Sequence, residues 1–495
     1  MRTDSLWAAI ARSGGIAHVG LKAPDRRRGI YNGGRLVSMP EQARGEAAVL
    51  AIAGVSLERR HHRLAFVDYV EPALLPQEEG FAEETTSLMD SGCAYPGWGS
   101  GTHYFENGDM IPHRFGLMGI EKAWTRSRGQ GVVIGVADTG LDYTQEELTT
   151  SFSAGFSTGR VMRAWSTLAP AYSTRPAWDG SCSHGSRMAG LITAPRNGAS
   201  TVGVAHESDL IAVRFTDGIV DVDAWNAVLA IDYIGWGHND LSYRRVLPIA
   251  WRSAPSGMLS DWMDYYHDMG VLFIGAVGQS VCQNWFRGVA WPARKDNVIA
   301  VAGVEDNNDL PCRMHRGPET DMAALMDYPV PAEFTGQIAE VKESSSATAV
   351  VAGVAALIWA RHPTWTRNQV RDRIYQSGQH YPNRDERRGY GIINAFRAVG
   401  GFESLWVDAP SYVNPGETYT ASAYPRGDGP FTYQWSNGAT TASTTYNVGW
   451  GGWQGIWVQV TDQVEGLSRS ATATVTAGSE PGPSCDPNLD PFCPA

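Results

Sequence analysis

The chain has 495 residues, of which 43% are hydrophobic and 19% charged, and its formal net charge is −12. This composition is typical of a globular protein, and the length predicts two to four domains. The acidic balance argues against nucleic acid or an anionic membrane as the main partner, because phosphate binding requires clustered lysine and arginine.

The first region, residues 1–73, is predicted to be a small α/β domain. Residues 16–21 and 64–72 have the composition of strands, and residues 39–52 have helical spacing. Residues 74–110 are rich in Gly, Glu, Ser and Pro without a clear period, which predicts a linker or extended segment. The first fifteen residues lack the basic and then apolar pattern of a secretory signal.

The central region, residues 111–400, alternates short apolar runs with helical patterns such as residues 223–234 and 260–268. Four apolar runs are typical of strands that are buried on both faces of a parallel sheet: residues 132–137, 210–213, 271–274 and 298–301. This alternation predicts an α/β domain with a mostly parallel sheet and helices on both sides. Ligands are expected at the carboxyl ends of its strands.

The last region, residues 401–478, alternates polar and apolar residues between Gly, Pro and Asn turns, which predicts a small antiparallel β-sandwich. The strand candidates are residues 418–423, 432–435, 456–460 and 471–475. Trp450 and Trp453 lie in a Gly-rich loop and are candidates for exposed aromatic residues, with core packing as the alternative. Residues 479–495 form a Pro-rich tail without predicted structure.

The six cysteines are even in number and show no CxxC spacing, which favours an exported protein with disulfides over a zinc or redox site. Cys485 and Cys493 flank the Pro-rich tail and are spaced to close a small loop; the sequence assigns no other pair. No organic cofactor and no metal site is predicted. Residues 306–309 offer oxygen ligands for a structural Ca²⁺, but a plain polar turn is the preferred interpretation.

Three motifs in the central region contain candidate catalytic groups. Asp138 follows a predicted buried strand in the sequence ADTG, where a turn or helix-capping aspartate is the alternative. His184 begins a helical run of small residues in HGSRMAGL, and a structural histidine is the alternative. Ser345 lies in ESSSATA at the head of a long apolar helix, whose free N–H groups and dipole favour developing negative charge. There the alternative is a helix-capping serine.

Together these motifs resemble the subtilisin-like serine proteases (subtilases), which present Asp in DTG, His in HGT and Ser in GTSxA in this order. The flanking segments 203–214 and 291–301 are similar to the same family. The resemblance implies a serine endopeptidase with a three-layer α/β domain and a mostly parallel sheet. Asp138 then orients the imidazole, His184 takes the proton from Ser345 and later gives it to the leaving amine, and Ser345 attacks the scissile carbonyl.

The flanking regions have resemblances of their own. The N-terminal region resembles the propeptides of this family, which act on their own enzyme in cis, and the C-terminal region resembles immunoglobulin-like or polycystic-kidney-disease-type modules. The expected partners are therefore protein or peptide substrates, the chain's own propeptide, and a surface or carbohydrate for the C-terminal module. No nucleic acid partner and no membrane span are expected, and secretion is the expected location.

Three departures from the family pattern leave a second hypothesis open. Gln279 stands where the family supplies an oxyanion-hole Asn. Glu343 stands two residues before Ser345, where the family motif GTSxA has glycine. Ser344 and Ser346 are alternative nucleophiles. Trp251 and Arg252 are bulky residues in a segment expected to line the specificity pocket. Three alternatives stay open: they reshape the pocket, they favour substrates with acidic side chains, or they partly block it. The alternative function is a catalytically impaired homologue that acts as a binding or scaffold protein.

Overall fold

The structure is a computed structural model, and it describes residues 16–21, 35–38, 67–73, 103–142, 144–168, 183–219, 222–236, 241–280, 282, 287–331, 338–449, 452–464 and 466–478. The predicted helix at 39–52, residues 74–102 of the predicted linker, Trp450 and the Pro-rich tail with its two cysteines lie outside these residues. Contacts divide the chain into two units, Met1–Ala398 and Val399–Ala495.

Three short strands near the N-terminus form an antiparallel sheet in the order β2-β1-β3. They are β1 (Ile16–Leu21), β2 (Arg35–Ser38) and β3 (Val67–Ala73). Strand β1 coincides with the predicted segment 16–21, and β3 overlaps the predicted segment 64–72 and ends one residue beyond it.

A β-hairpin occupies the end of the segment predicted to be a linker. Strands β4 (His103–Glu106) and β5 (Asp109–Pro112) pair antiparallel, and β5 is buried throughout. Asn107 and Gly108 between them have φ values of 54° and 90°, as a two-residue type I′ turn requires. Four-residue strands are too short to show a period, so the Asn-Gly pair was the only local signal for this hairpin.

The centre of the first unit is a seven-stranded sheet in the order β12-β11-β10-β9-β6-β8-β7, and all its neighbours are parallel. Its strands are β6 (Val133–Asp138), β7 (Met162–Ser166), β8 (Asp209–Arg214), β9 (Arg245–Ile249), β10 (Leu272–Ala276), β11 (Val298–Val304) and β12 (Thr320–Leu325). The four predicted apolar runs lie in β6, β8, β10 and β11, which confirms the predicted parallel sheet. Because the chain continues from β6 to one side and later returns to the other, β6 lies at a switch point, where such folds bind ligands.

Helices cover both faces of this sheet, as the sequence predicts. Their bounds are α1 (His113–Leu117), α2 (Ile120–Ala123), α3 (His184–Thr193), α4 (Ala224–Trp236), α5 (Gly257–Asp268), α6 (Glu343–Arg361), α7 (Arg367–Ser377) and α8 (Ala395–Ala398). Helices α3 and α6 pack against each other, α4 packs against α5, and α5 also contacts strands β1 and β3. A hairpin of β13 (Tyr328–Pro331) and β14 (Ile338–Val341) contacts α3.

Helix α6 is long and apolar enough by composition to cross a membrane. However, 89% of its apolar window is buried inside the unit, and every residue from Ser344 to Trp359 is buried. This burial is typical of a core helix, and it explains why Ala and Val are frequent in its sequence: compact side chains let the helix lie close to the sheet.

The second unit consists of two sheets, ordered β15-β17-β19 and β16-β21-β20-β18. Their strands are β15 (Ser404–Asp408), β16 (Tyr412–Val413), β17 (Thr418–Arg426), β18 (Phe431–Trp435), β19 (Ser443–Asn447), β20 (Trp453–Asp462) and β21 (Ser468–Ala477). Side chains that alternate along the strands form one buried cluster around Trp435, Ile456 and Val458. This is the β-sandwich arrangement that the alternating pattern predicts.

Candidate active site

Asp138 and His184, 46 residues apart in the chain, form a buried pair at the carboxyl-terminal ends of the parallel strands. The imidazole Nδ1 lies 2.9 Å from Oδ2 and 3.0 Å from Oδ1 of Asp138, and each residue is only 2% exposed. Because a carboxylate accepts hydrogen bonds, the proton of a neutral imidazole is placed on Nδ1. Nε2 is therefore left with its lone pair.

Local sequence explains why these two side chains meet. Asp138 is the last residue of β6, and its Oδ1 accepts a hydrogen bond of 2.7 Å from the N–H of Thr139. His184 is the first residue of α3, and the next residue, Gly185, donates its N–H to the hydroxyl of Thr139. A Cβ at Gly185 would lie 2.3 Å from the carbonyl oxygen of Gly140, so only glycine allows the helix to approach this closely.

Ser345 lies in the first turn of α6, which packs against the helix that His184 begins. It is 4% exposed, and its hydroxyl makes no hydrogen bond with any residue that the structure describes. Nε2 of His184 is likewise without a hydrogen-bond partner there. The structure thus brings Asp138 and His184 into direct contact and leaves a buried hydroxyl and a buried base unbonded on two packed helices.

The two alternative serines are engaged elsewhere. The hydroxyl of Ser344 donates to Oε1 of Gln279 at 2.6 Å. The hydroxyl of Ser346 donates to the carbonyl of Glu343 at 2.8 Å and accepts from the N–H of Asp327 at 3.0 Å. Both hydroxyls are therefore occupied by hydrogen bonds to neighbouring residues. Of the three serines, Ser345 is thus the favoured candidate nucleophile.

Glu343 begins α6 in the left-handed region, with φ of 59°, a conformation that glycine adopts without strain and glutamate does not. Two contacts hold it there: its N–H donates to Asp327 at 2.8 Å, and its carboxylate pairs with Nε of Arg313 at 2.7 Å. Burial raises the pKa of Glu343, and Arg313 opposes this rise. Because its carboxylate is bound by a guanidinium, it is not a lone negative charge near Ser345.

Gln279 lies beside the start of α6. Its side-chain oxygen is held by Ser344, so its amide N–H groups are the part that is available to another acceptor. Its backbone pairs with Met314, and the following Ser280 donates its N–H to the carbonyl of Arg313. A disulfide between Cys282 and Cys312 closes the same region. The amide that replaces the family's Asn is thus fixed next to the candidate nucleophile.

Trp251 does not block a pocket. It is 3% exposed and packs edge-on against Phe215 within the core on one face of the sheet. Its indole N–H donates to the carbonyl of Ala137 at 2.9 Å, immediately before Asp138. Of the two bulky residues in this segment, Arg252 is the one whose side chain is accessible to a ligand.

The side-chain oxygens of the polar turn near residue 306 make contacts within the protein. Both carboxylate oxygens of Asp306 bind Arg114, and Asn307 hydrogen-bonds Asp309. Within the described part of the chain, no three His, Cys, Asp or Glu side chains come together in a group able to hold a metal ion.

Sequence reasoning missed Arg313 and the Cys282–Cys312 disulfide. Both join segments that are distant along the chain: 30 residues separate the two cysteines, and 30 separate Arg313 from Glu343. The one available signal was the unusual Glu343 itself, since a buried carboxylate requires a cationic or hydrogen-bonding partner.

The subtilase family model matches residues 129–391. The thermostable alkaline protease of Halalkalibacterium halodurans is 29% identical over 292 residues, 58% of this chain and 73% of that protein. Subtilisin E of Bacillus subtilis is 29% identical over 276 residues, 55% of this chain and 66% of the relative.

A solved structure, MycP1 from the ESX-1 type VII secretion system, superposes with a TM-score of 0.50 at 18% identity. The match covers 63% of this chain and 90% of MycP1, and at this identity it shows the fold alone. The family model, by contrast, matches more than half of the 495 residues, and its match lies within the central α/β region. The chain therefore belongs to the subtilase family.

Proposed function

We propose that the chain is a serine endopeptidase that hydrolyses peptide bonds through an acyl-enzyme on Ser345. Membership in the subtilase family supports the reaction class. The observation that carries the residue assignment is the buried Asp138–His184 pair, because it leaves a basic Nε2 on the helix that packs against the helix of Ser345. Ser345 is the one hydroxyl of three in its turn that has no structural hydrogen bond.

The chemistry follows from these positions. His184 takes the proton of the Ser345 hydroxyl through Nε2 while Oγ forms a bond to the scissile carbonyl carbon. Asp138 stabilises the imidazolium that forms. The C–N bond then breaks as the imidazolium gives its proton to the leaving amine, and water repeats the sequence to release the acid from Ser345.

The oxyanion of the tetrahedral intermediate needs donors near Ser345. Two candidates exist: the side-chain amide of Gln279 and the backbone N–H of Ser345, which has no hydrogen-bond partner among the described residues. An N–H in the first turn of a helix has no intrahelical acceptor, and the helix dipole favours negative charge there. These donors support an active enzyme over an impaired homologue.

A fluorophosphonate probe tests the proposal directly. The purified chain is expected to be labelled on Ser345, and Ser345→Ala is expected to lose the label, whereas Ser183→Ala retains it. Mass spectrometry maps the label and also reports a self-processing cut between residues 72 and 110. Absence of label on folded, propeptide-free protein would favour the binding or scaffold alternative.

The N-terminal region is proposed to act as a propeptide in cis. Its three-stranded sheet contacts helix α5 of the same unit, as expected for a segment that folds against its own enzyme. Export is also proposed, because structural disulfides such as Cys282–Cys312 are characteristic of proteins in oxidising compartments.

For the C-terminal module we propose binding of a neutral polysaccharide. Trp453 is 73% exposed and Trp457 is 42% exposed, and they lie on the same face of β20, four residues apart. On β21, the exposed Thr472 is paired with Trp457, and the exposed Thr474 is paired with Gly455 between the two tryptophans. Indole faces stack on sugar rings, and hydroxyl groups hydrogen-bond them.

The polysaccharide proposal predicts that the full chain sediments with insoluble cellulose or chitin, and that Trp453→Ala and Trp457→Ala each weaken this binding about tenfold, as expected for the loss of a stacked aromatic contact. Tyr243→Ala, which removes an exposed aromatic ring from the other unit, is the control and should bind as the unaltered chain does. Equal sedimentation of all four proteins would contradict the proposal.

A further inference from the structure

The segment that follows strand β9 contains a positive charge without a partner. The side chain of Arg252 is half-buried, and its Nε is inaccessible to solvent and has no hydrogen-bond acceptor. Within the part of the chain that the structure describes, no carboxylate pairs with this guanidinium. The rest of the guanidinium is only partly shielded from water, and a partly buried charge is stabilised by a partner of opposite sign.

The backbone that holds this side chain is fixed on both sides. The N–H of Arg252 donates to the carbonyl of Ile219 at 2.9 Å, and its own carbonyl accepts from Val222 at 3.2 Å. The next residue, Ser253, donates to the carbonyl of Trp291 at 3.2 Å. The position from which the guanidinium extends is therefore set before any ligand binds, which lowers the entropic cost of binding.

A buried histidine, His315, is close to Arg252 and contacts Gly278, the residue before the candidate oxyanion donor. His315 is 3% exposed and packs against Gly278, where a Cβ would lie 3.1 Å from Nδ1. Burial and the nearby charge of Arg252 lower the pKa of His315 to about 4. The imidazole is thus neutral at neutral pH, and the positive charge here is that of Arg252, with Arg287 close by.

These residues adjoin the site proposed for catalysis. Gly278 directly precedes Gln279, and Gln279 is hydrogen-bonded to Ser344. Strand β9 lies between β10 and β6 and runs parallel to both. Arg252, which follows the end of β9, therefore lies at the same carboxyl-terminal edge of the sheet as Asp138 and Gln279.

We propose that Arg252 binds the side-chain carboxylate of the substrate residue on the amino side of the scissile bond, so that the enzyme prefers Glu or Asp there. The planar guanidinium matches a carboxylate in a two-point contact, and charge-assisted hydrogen bonds of this kind are stronger than neutral ones. The proposal names the substrate class of the proposed peptidase and rests on that function.

The first experiment compares peptide p-nitroanilides that differ only in the last residue, with Glu, Gln, Leu or Lys. The unaltered enzyme is expected to cleave the Glu substrate with a kcat/KM about tenfold or more above that for Gln, the neutral analogue of the same shape. Arg252→Gln should reduce this ratio to near one, and Arg252→Lys should retain part of it. Arg294→Gln removes an exposed arginine nearby and should keep the original ratio.

The second experiment does not depend on catalysis. In the Ser345→Ala background, calorimetry compares the binding of peptide amides that end in Glu or Gln, before and after Arg252→Gln. A Glu preference that disappears with Arg252 supports the inference even if no substrate is cleaved. Equal affinity for the two peptides, or an active enzyme that cleaves the Gln and Glu substrates equally, would overturn it without affecting the assignment of Ser345.

Discussion

Replacing His184 with alanine is expected to lower kcat about 10⁶-fold. This magnitude is the one known for the catalytic histidine of subtilisin, which is a relative of this chain. In the proposed mechanism the change removes the imidazole that Asp138 positions, and with it the base that accepts the proton of Ser345. Asp138→Asn leaves the geometry in place but favours the wrong tautomer, and the expected loss is about 10⁴. Steady-state cleavage of a peptide p-nitroanilide measures both effects.

The control for this prediction is Ser183→Ala. Ser183 is buried beside His184 and precedes α3, but its hydroxyl makes no hydrogen bond with a described residue. Its removal should change kcat by a small factor only. Circular dichroism must show that each variant is folded, because His184 starts a buried helix. A folded His184→Ala enzyme that keeps more than about one percent of kcat would contradict the assignment of the base.

Replacing Gln279 with alanine is expected to lower kcat by about 10² to 10³ with little change in KM, a range that is known from the amide donor of subtilisin. KM is spared because the donor acts on the oxyanion, which exists only in the transition state and the intermediate. The same p-nitroanilide assay, with kcat and KM determined separately, checks this.

Gln279→Glu sharpens this experiment. Glutamate keeps the length of the side chain and an oxygen that can accept the hydrogen bond from Ser344, but it lacks the N–H donors. If the amide donates to the oxyanion, the glutamate variant should lose at least as much kcat as alanine does. Full activity in Gln279→Glu would show that the oxyanion is stabilised by other groups.

The parts of the fold that could be predicted are those that local pattern determines. The continuous apolar runs in β6, β8, β10 and β11 indicated strands buried on both faces, and they lie in the parallel sheet. Gly185 also gave a correct signal, since its missing side chain allows α3 to approach the turn after Asp138. In both cases the requirement acts on consecutive residues, so the sequence displays it.

The parts that could not be predicted depend on contacts between distant segments. Nothing near Glu343 indicates that Arg313 binds it, and nothing near Trp251 indicates that its indole points into the core rather than into a pocket. The hairpin at β4 and β5 was missed because four-residue strands have too little pattern. Such contacts depend on which distant segments the fold brings together, and local sequence pattern does not show this.

The site draws its groups from elements that are distant in the chain: β6 and α3 supply a pair 46 residues apart, and Gln279 reaches Ser344 across a further 65. Contacts of such long range form late and slowly in folding. A newly synthesised chain accordingly has no complete hydrolytic apparatus until helix α6 has docked beside α3. The proposed peptidase activity therefore arises only in a chain whose first unit has already folded.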